Sequence, residues 1–314
     1  MRNKIVLTAK KYDADIVGFA PAERFSADSP VFKIFPETKT VIGLAFRVLR
    51  GVYRGVEEGS TYYQYTTMGV ENLEETIMPL ALINISNMIE EEGLLAVPQR
   101  RNQLIMNEEG KTNPEVDYSD IYRGIKQENQ LDFLECAVKC GLGEKGLNNS
   151  LLTKRFGPFV RYCFILTDAV LAPSEVLKPT LCDNCRECIK ACPGHAISDD
   201  GEIDTWRCAV YYNGANGSKN PFMPPDALIK FENRREIIDG RAAFSVEEAK
   251  DIMDNLYFYP PGKHFYKTSI CGRACDRACY IHLERKGVLT GKFNKPFREK
   301  EDWKLGVDGT GEQT

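Results

Sequence analysis

The strongest chemical signal in the chain is a dense run of cysteines. Eight of its eleven cysteines lie between Cys182 and Cys279. The segment CDNCRECIKACP, residues 182–193, has the spacing C-x2-C-x2-C-x3-C-P. Thiolates at this spacing bind one face of a [4Fe–4S] cluster, and in two-cluster proteins the fourth cysteine of the run binds the other cluster. The run therefore predicts two clusters and requires four more cysteine ligands.

Four further cysteines supply these ligands. Cys208 stands alone, and three more follow at four-residue intervals from Cys271 to Cys279. We predict that set one, for the first cluster, consists of Cys182, Cys185, Cys188 and Cys279. We predict that set two, for the second cluster, consists of Cys192, Cys208, Cys271 and Cys275. Set two is less regular, because the usual second motif C-x2-C-x3-C-P is replaced by C-x3-C-x3-C followed by Tyr280.

The alternative for the same residues is a pair of structural zinc sites with four cysteines each. Zinc sites usually present separated C-x2-C pairs, whereas three cysteines at two-residue spacing closed by Cys-Pro favour an iron–sulfur cluster. Four basic residues flank the motifs, and they either tune the cluster potentials or are solvated surface charges: Arg186, Lys190, Arg273 and Arg277.

The remaining cysteines and the histidines are predicted to have no redox role. Three cysteines lie in apolar-patterned segments, and cysteine is among the most often buried residues, so we expect core packing for Cys136, Cys140 and Cys163. The histidines are interpreted as ordinary surface residues or neighbours of the motifs: His195, His264 and His282.

The composition argues against several classes of function. The chain has 314 residues, and a hydrophobic fraction of 43% is enough for a substantial core. Its net charge of −4 provides no basic field for binding nucleic-acid phosphates. The N-terminus has no apolar signal segment, and no run of about 18 apolar residues appears. We therefore expect a cytoplasmic protein with no membrane span and no nucleic-acid partner.

The elements that position these residues can be predicted from hydrophobic periodicity. The first third reads as alternating helix and strand, with helices at 4–12 and 72–92 and strands at 14–20 and 40–48. Pro79 either starts or kinks the second helix, and Gly93 closes it. Further along we expect a long loop at 97–128, a helix at 130–140, a buried strand at 159–168, and a helix at 246–255 with a capping box of Ser245 and Glu248.

A glycine-rich segment precedes the cysteine run. The residues GLGEKG, at 141–146, match the G-x-G-x-x-G pattern of dinucleotide-binding loops. Such a loop follows a strand and opens a helix, whereas this one follows a predicted helix and leads toward a strand. Nucleotide binding is therefore not predicted, and the simplest structural role of the glycines is a tight turn after a helix.

The wider segment, residues 140–168, resembles epoxyqueuosine reductases and reductive dehalogenases. In those families a GLG-x-x-G loop, a Leu-Leu segment, a Gly-Pro pair and a strand ending in Thr-Asp precede the ferredoxin motif, and the same order holds here. Residues 14–20 and 41–45 also look like the start of those proteins. The resemblance implies an α+β protein with a nitroreductase-like cobalamin-binding domain at 1–173, a ferredoxin-like domain with two [4Fe–4S] clusters at 174–300, and a polar tail at 301–314.

The resemblance also implies where a corrinoid would bind. By position, the corrin-binding candidates are Gly141, Leu142, Gly143, Gly146, Asn148, Asn149, Arg161, Thr167 and Asp168. The glycines would let the backbone approach the macrocycle where any side chain would collide. Cobalamin is expected to bind base-off, because no D-x-H-x-x-G motif offers a histidine ligand. Asp117 is the first candidate for the proton donor, and Tyr118 is the second.

The favoured function is a cobalamin-dependent reductase. An external donor such as ferredoxin or flavodoxin would supply electrons through an exposed cluster and an inner one to the corrinoid, which would reduce a small molecule. The alternatives are an iron–sulfur carrier or reductive activator that serves a partner protein's corrinoid or redox centre, and a divergent homologue with an empty pocket. The helical-repeat segment that engages transfer RNA and the export signal of respiratory dehalogenases are not seen, so neither a transfer-RNA substrate nor export is expected.

Overall fold

The computed structural model describes residues 1–100, 130–256, 269–301 and 303–305. Within these ranges the chain combines α-helices with antiparallel sheet, as the α+β prediction requires, and none of the helices is long and apolar enough to cross a membrane. The α-helices are α1 (Arg2–Lys11), α2 (Pro30–Ile34), α3 (Arg50–Glu57), α4 (Met78–Glu90), α5 (Phe133–Lys139), α6 (Glu187–Lys190), α7 (Thr205–Tyr212), α8 (Arg234–Ile238), α9 (Val246–Asp254) and α10 (Ala274–Arg285). The strands are β1 (Ile16–Pro21), β2 (Thr40–Arg47), β3 (Ala96–Gln99), β4 (Glu144–Lys145), β5 (Leu151–Leu152) and β6 (Val160–Thr167).

Two central strands carry the main sheet, whose order is β1-β2-β6-β3. Strand β2 pairs with β1 on one side and with β6 on the other, and both pairings are antiparallel. Because successive side chains of a strand point to opposite faces, Ile42 and Leu44 enter one core while Val41 and Ala45 enter another. Both faces of β2 are therefore buried, which explains its continuous apolar sequence.

Helices cover both faces of this sheet. Helices α1 and α4 belong to the core that contains Ile42, and α5 belongs to the core on the opposite face. Pro79 lies in the first turn of α4, so it starts this helix and does not kink it. The residues before it, 65–71 and 73–77, form π-helical turns that the periodicity did not predict. Gly93 follows the helix with a φ of +79°, a conformation that favours glycine.

The other predicted helices and strands of the described ranges are confirmed, with boundaries shifted by a few residues. The first residues of the loop predicted at 97–128 instead belong to strand β3, and its residues 101–128 lie outside the described ranges. The predicted helices at 4–12 and 130–140 correspond to α1 and α5, and the predicted strand at 159–168 corresponds to β6. Ser245 and Glu248 form the predicted capping box at the start of α9. Shifts of this size are ordinary, because helix ends fray and are the least well defined part of an element.

The cysteine-bearing half of the chain shares a core with the sheet. Helix α10 packs against α6, and Tyr280 and Leu283 of α10 lie in the same core as Phe19 of β1. A separate core holds α7, α8 and α9. The shared core crosses the domain boundary predicted between residues 173 and 174, and that boundary stays a prediction.

Candidate functional site

The four cysteines of set one surround a single cavity. Its volume is about 330 Å³, including space open to solvent, and its lining includes Cys182, Cys185, Cys188 and Cys279. Cys188 lies on α6 and Cys279 on α10, and these two helices pack together. Burial raises the pKa of Cys279, and the neighbouring Asp276 and the other thiols of set one raise it further. The four thiols thus lie close enough to act on one another, as the ligands of one metal site must.

The four cysteines of set two come together from three separate segments. Burial raises the pKa of Cys208 to about 12, and the nearby thiols of Cys271 and Cys192 add to the effect. Burial also raises the pKa of Cys275, with further contributions from Asp276 and from the thiols of Cys271 and Cys208. The fold therefore places the cysteines of each predicted set next to one another.

Helix α10 contributes to both sets. It carries Cys275 and Cys279 one turn apart, so both side chains project from the same side of the helix. Cys275 lies among the thiols of set two, and Cys279 lies among those of set one. Asp276, which is 2% exposed, stands between these two cysteines in the sequence and raises the pKa of both. The two sites are thus neighbours that share one helix.

Set one is the outer site and set two is the inner one. Asp183, Asn184 and Arg186, which alternate with the set-one cysteines, are exposed. The apolar cluster around the buried Ala196 and Ile197 contains three cysteines of set two, Cys192, Cys208 and Cys275, and one of set one, Cys188.

A buried carboxylate in the glycine loop positions the first ligand of set one. Glu144 is 3% exposed, and its side chain accepts backbone hydrogen bonds from Thr180, Leu181 and Cys182 at 2.6, 2.7 and 2.9 Å. Hydrogen bonds to an ionised acceptor are stronger than those between neutral groups. Sequence reasoning missed this role, because a single acidic residue inside a glycine loop does not reveal its distant partners.

The end of the same loop holds Asp276 in place. The Oδ1 of Asp276 accepts hydrogen bonds from Asn148 Nδ2 at 2.9 Å and from the Ser150 hydroxyl, and its Oδ2 accepts one from Arg273 Nε at 2.7 Å. Arg273 also donates to Ser150 at 2.9 Å. Asn148, a predicted corrin contact, is therefore bonded to the helix between the two cysteine sets. Residues 144–150 support the candidate metal sites directly.

The glycines of the loop are required by the chain's own packing. A Cβ atom at Gly141 would lie 2.3 Å from the carbonyl oxygen of Glu175, and one at Gly143 would lie 2.4 Å from that of Leu152. A Cβ atom at Gly146 would lie 2.9 Å from a neighbouring side chain. Protein atoms thus occupy the space that a side chain would need. From the sequence we expected glycine to be required here by the close approach of a corrin. In the structure, it is required by the packing of residues of the same chain.

Arg161, another corrin candidate, belongs to a buried polar group. It donates a hydrogen bond of 3.0 Å to the hydroxyl of Tyr65 and forms an ion pair of 3.2 Å with Glu74. Burial raises the pKa of Tyr65 strongly, while the nearby guanidinium groups of Arg161 and Arg273 lower it. Arg161 is therefore already engaged by Tyr65 and Glu74.

The other corrin candidates differ in whether they have partners. Leu142 and Thr167 are buried inside the fold, and Asp168 accepts a hydrogen bond of 2.8 Å from the backbone of Leu95. Asn149 is different, because its Oδ1 is buried and has no hydrogen-bond partner among the residues that the structure describes.

Of the basic residues near the motifs, Arg277 is a buried structural group. It is 8% exposed, pairs with the buried Glu57, and donates hydrogen bonds of 3.1 Å to the carbonyl oxygens of Gly272 and Cys271. This pair fixes the loop that carries Cys271, so the interpretation of Arg277 as a solvated charge is wrong. The exposed ion pairs near the motifs are Arg186–Asp199 and Lys190–Glu187.

His282 lies beside set one. Its Nε2 is 3.0 Å from the carboxylate of Asp183, with which Lys286 also forms an ion pair of 2.7 Å. Hydrogen bonds from Lys286 and His282 hold the pKa of Asp183 well below its ordinary value. Ligand atoms of His282, Asp183 and Cys185 lie within 4.8 Å of one another. The sequence signal for this arrangement was the position of His282, three residues after Cys279 on one helix.

Two further groups of predicted residues are the proton-donor candidates and the core cysteines. Asp117 and Tyr118, the proton-donor candidates, lie outside the described residues, so their role stays a prediction. The predicted core cysteines are confirmed, since each is at most 1% exposed: Cys136, Cys140 and Cys163. Burial raises the pKa of Cys140 to about 12, which keeps its thiol protonated at neutral pH.

Likeness to known proteins is confined to part of the sequence. No protein-family model matches the chain. A tetrachloroethene reductive dehalogenase of Desulfitobacterium hafniense is 43% identical over 67 residues, which are 20% of this chain and 12% of that protein. An epoxyqueuosine reductase of Cyclobacterium marinum is 39% identical over 75 residues, which are 24% of each protein. The matched stretches thus span 12% and 24% of the length of these relatives.

Solved structures of the same two kinds are also similar to this chain. A catabolic reductive dehalogenase in complex with 3-bromo-4-hydroxybenzoic acid has a TM-score of 0.49 at 15% identity, over 97% of this chain and 38% of that one. The epoxyqueuosine reductase of Streptococcus thermophilus has a TM-score of 0.48 at 15% identity, over 78% of this chain and 64% of that one. The relatives are reductases of the epoxyqueuosine reductase and reductive dehalogenase type, which confirms the resemblance predicted from residues 140–168.

Proposed function

We propose that this chain is a reductase that carries electrons across two [4Fe–4S] clusters, one held by set one and one by set two. A one-electron donor protein such as ferredoxin or flavodoxin supplies the electrons at set one, and a small molecule accepts them. The observation that carries this proposal is the gathering of eight cysteines into two neighbouring groups of four. The sequence relatives, which are reductases, support the same function.

The residues of the two sets fit iron–sulfur clusters. Four thiolates are the ligands that a cubane takes, and the four cysteines of set one line one cavity. Zinc sites usually present separated C-x2-C pairs, and the run at 182–193 departs from that pattern. When bound, the clusters supply one-electron transfer, while the chain sets their potentials through charge and hydrogen bonds.

Base-off cobalamin is the centre that the resemblance adds, and the described residues fit it only in part. The chain's own atoms fill the space where a Cβ of Gly141, Gly143 or Gly146 would lie, so these glycines do not in themselves indicate a corrin. Asn149 retains a buried acceptor, and we keep it as the first candidate for a contact with a corrinoid amide. No catalytic step through a corrinoid follows from these residues.

The close packing of Gly141, Gly143 and Gly146 against the chain's own atoms favours a second function. A chain that holds no corrinoid would be an iron–sulfur carrier or reductive activator. It would pass electrons from set two to a corrinoid or another redox centre of a partner protein. The outer and inner placement of the two sets serves both functions, because both need a route from the surface into the protein.

A cobalamin titration of anaerobically purified, cluster-loaded protein separates the two functions. The reductase should bind cobalamin base-off, with the corresponding change in the visible spectrum. Asn149→Ala should weaken this binding, whereas Asn255→Ala, at an exposed position after α9, should leave it unchanged. If the wild-type protein shows no binding even at high micromolar cobalamin, the carrier function replaces the reductase.

A further inference from the structure

A buried carboxylate lies beside both cysteine sets. Asp276 follows Cys275 on α10 and precedes Cys279 by less than one helical turn. It is 2% exposed, and it contributes to the raised pKa of both cysteines. Its charge therefore acts on set one and on set two, in surroundings where water screens it little.

Three donors surround this carboxylate. Asp276 accepts hydrogen bonds from Asn148, Ser150 and Arg273, and these three donors engage both of its oxygens. The bond from Arg273 is charge-assisted and therefore among the stronger kinds. Asp276 is thus a fixed negative charge between two sites that are themselves anionic when four thiolates hold a cluster.

The positive partner of this pair is directed at set two. Arg273 lies between Cys271 and Cys275 of set two, two residues from each, at the start of α10, whereas Cys279 of set one is six residues further along; it also lowers the pKa of Cys271 and Cys275. At set two the positive charge of Arg273 thus offsets the negative charge of Asp276. At set one the nearby cations Arg186 and Lys286 are 54% and 37% exposed and already paired with Asp199 and Asp183, so solvent and their own partners weaken their effect.

We infer that the pair of Asp276 and Arg273 sets the direction of electron transfer between the two sites. This inference rests on the proposed function. Reduction adds one negative charge to a cluster, which Asp276 disfavours at both sites and Arg273 favours at set two. One electron therefore passes from a reduced [4Fe–4S]+ cluster at set one, which returns to 2+, to the 2+ cluster at set two, which becomes 1+. The donor protein then reduces set one again.

Redox titration of the full, cluster-loaded chain, followed by electron paramagnetic resonance, tests this inference. Asp276→Asn should raise both cluster potentials, because it removes a negative charge near each. Arg273→Gln should lower the potential of set two and change that of set one less. Arg273→Lys keeps the charge and should leave the set-two potential closer to that of the wild type. Cys185→Ser, which alters set one alone, assigns the two signals.

Iron and sulfide are measured in every variant before titration, so that the possible failures can be told apart. Wild-type protein without clusters would overturn both the proposed function and this inference. Full clusters with unmoved potentials, or shifts of the same sign in Asp276→Asn and Arg273→Gln, would overturn the inference alone. If Asp276→Asn loses iron, the two Arg273 variants decide: a lower set-two potential with Gln than with Lys supports the inference, and equal potentials contradict it.

Discussion

The two cysteine sets are built by different means. Set one takes three ligands from residues 182–188 and adds Cys279 from α10. Set two takes Cys192 from the same run, Cys208 from α7, and its last two ligands from residues 271–275. Set one lies beside an exposed loop, whereas set two lies among buried side chains. Set one is therefore mostly a local structure, while set two forms only when distant segments have come together.

The hydrogen bonds and ion pairs that hold the two sets in place also differ in being local or long-range. Glu144 fixes the backbone at Cys182 and so acts on set one. Set two is tied to α3, because Arg277 joins Glu57 of that helix to the loop that carries Cys271. A change at set two should therefore spread further through the molecule than a change at set one.

The largest expected difference is between ligand substitutions in the two sets. Cys185→Ser and Cys208→Ser should each lose about four irons, the content of one cubane. Cys208→Ser should lower the melting temperature more, because metal binding at set two joins three separate segments and is coupled to their folding. Iron analysis and anaerobic thermal unfolding check this. Equal falls in melting temperature would remove the distinction between a local and a long-range site.

The next effect concerns the glycine loop. Gly143→Ala places a Cβ atom 2.4 Å from the carbonyl of Leu152, so the β4–β5 hairpin must move. We expect a loss of about 1–3 kcal/mol in the free energy of unfolding, together with lower iron content, since the hairpin carries Glu144. Gly51→Ala, in α3 with no atom within 4 Å of its added Cβ, is the matched control and should keep full iron. Wild-type iron and stability in Gly143→Ala would show that the loop is not a support.

A more local effect is expected at Glu144. Glu144→Gln leaves one acceptor oxygen for three backbone donors, which should cost about 1–3 kcal/mol for the groups left unsatisfied. The loss should appear as lower cluster occupancy at set one, with the set-two signal retained. Glu135→Gln, which removes only a partly exposed ion pair with Lys139, should change neither signal. Equal loss of both clusters in Glu144→Gln would contradict its assignment to set one.

The smallest expected difference between the two sets is in the rate at which they lose iron. Set one is the outer site, so chelator or air should remove its iron before that of set two. Iron release from the wild-type protein should be biphasic, and the fast phase should be absent from Cys185→Ser, which lacks the set-one cluster. Release in a single phase would indicate that the two sites are equally accessible.

The sequence predicted those features that depend on local spacing. The run at 182–193 grouped three cysteines of set one, and the fold brings them to one cavity with Cys279; the assignment of both sets as cluster ligands stays a prediction. A continuous apolar run located β2, and Ser245 with Glu248 located the start of α9. These features depend on neighbouring residues, so one chain is enough to reveal them.

Contacts between distant residues could not be predicted in this way. Glu144 meets residues 180–182, and Asn148 meets Asp276, only because the fold brings these segments together. The loop at 141–146 shows the same limit. Its glycines were predicted to contact a corrin. In the structure, a Cβ atom at Gly141 or Gly143 would collide with the carbonyl oxygen of Glu175 or Leu152 of the same chain. A glycine-rich pattern predicts that another group packs closely against the backbone, but only the structure identifies that group.

The most direct test of the central claim is metal analysis of the full chain purified without oxygen. Two sets of four cysteines predict about eight irons and eight acid-labile sulfides per chain, with the broad absorption near 400 nm of thiolate-bound cubanes. After reduction, two interacting paramagnetic clusters should be seen. Two zinc ions per chain with no labile sulfide would contradict the account, because the cysteines would then be structural zinc ligands with no part in electron transfer.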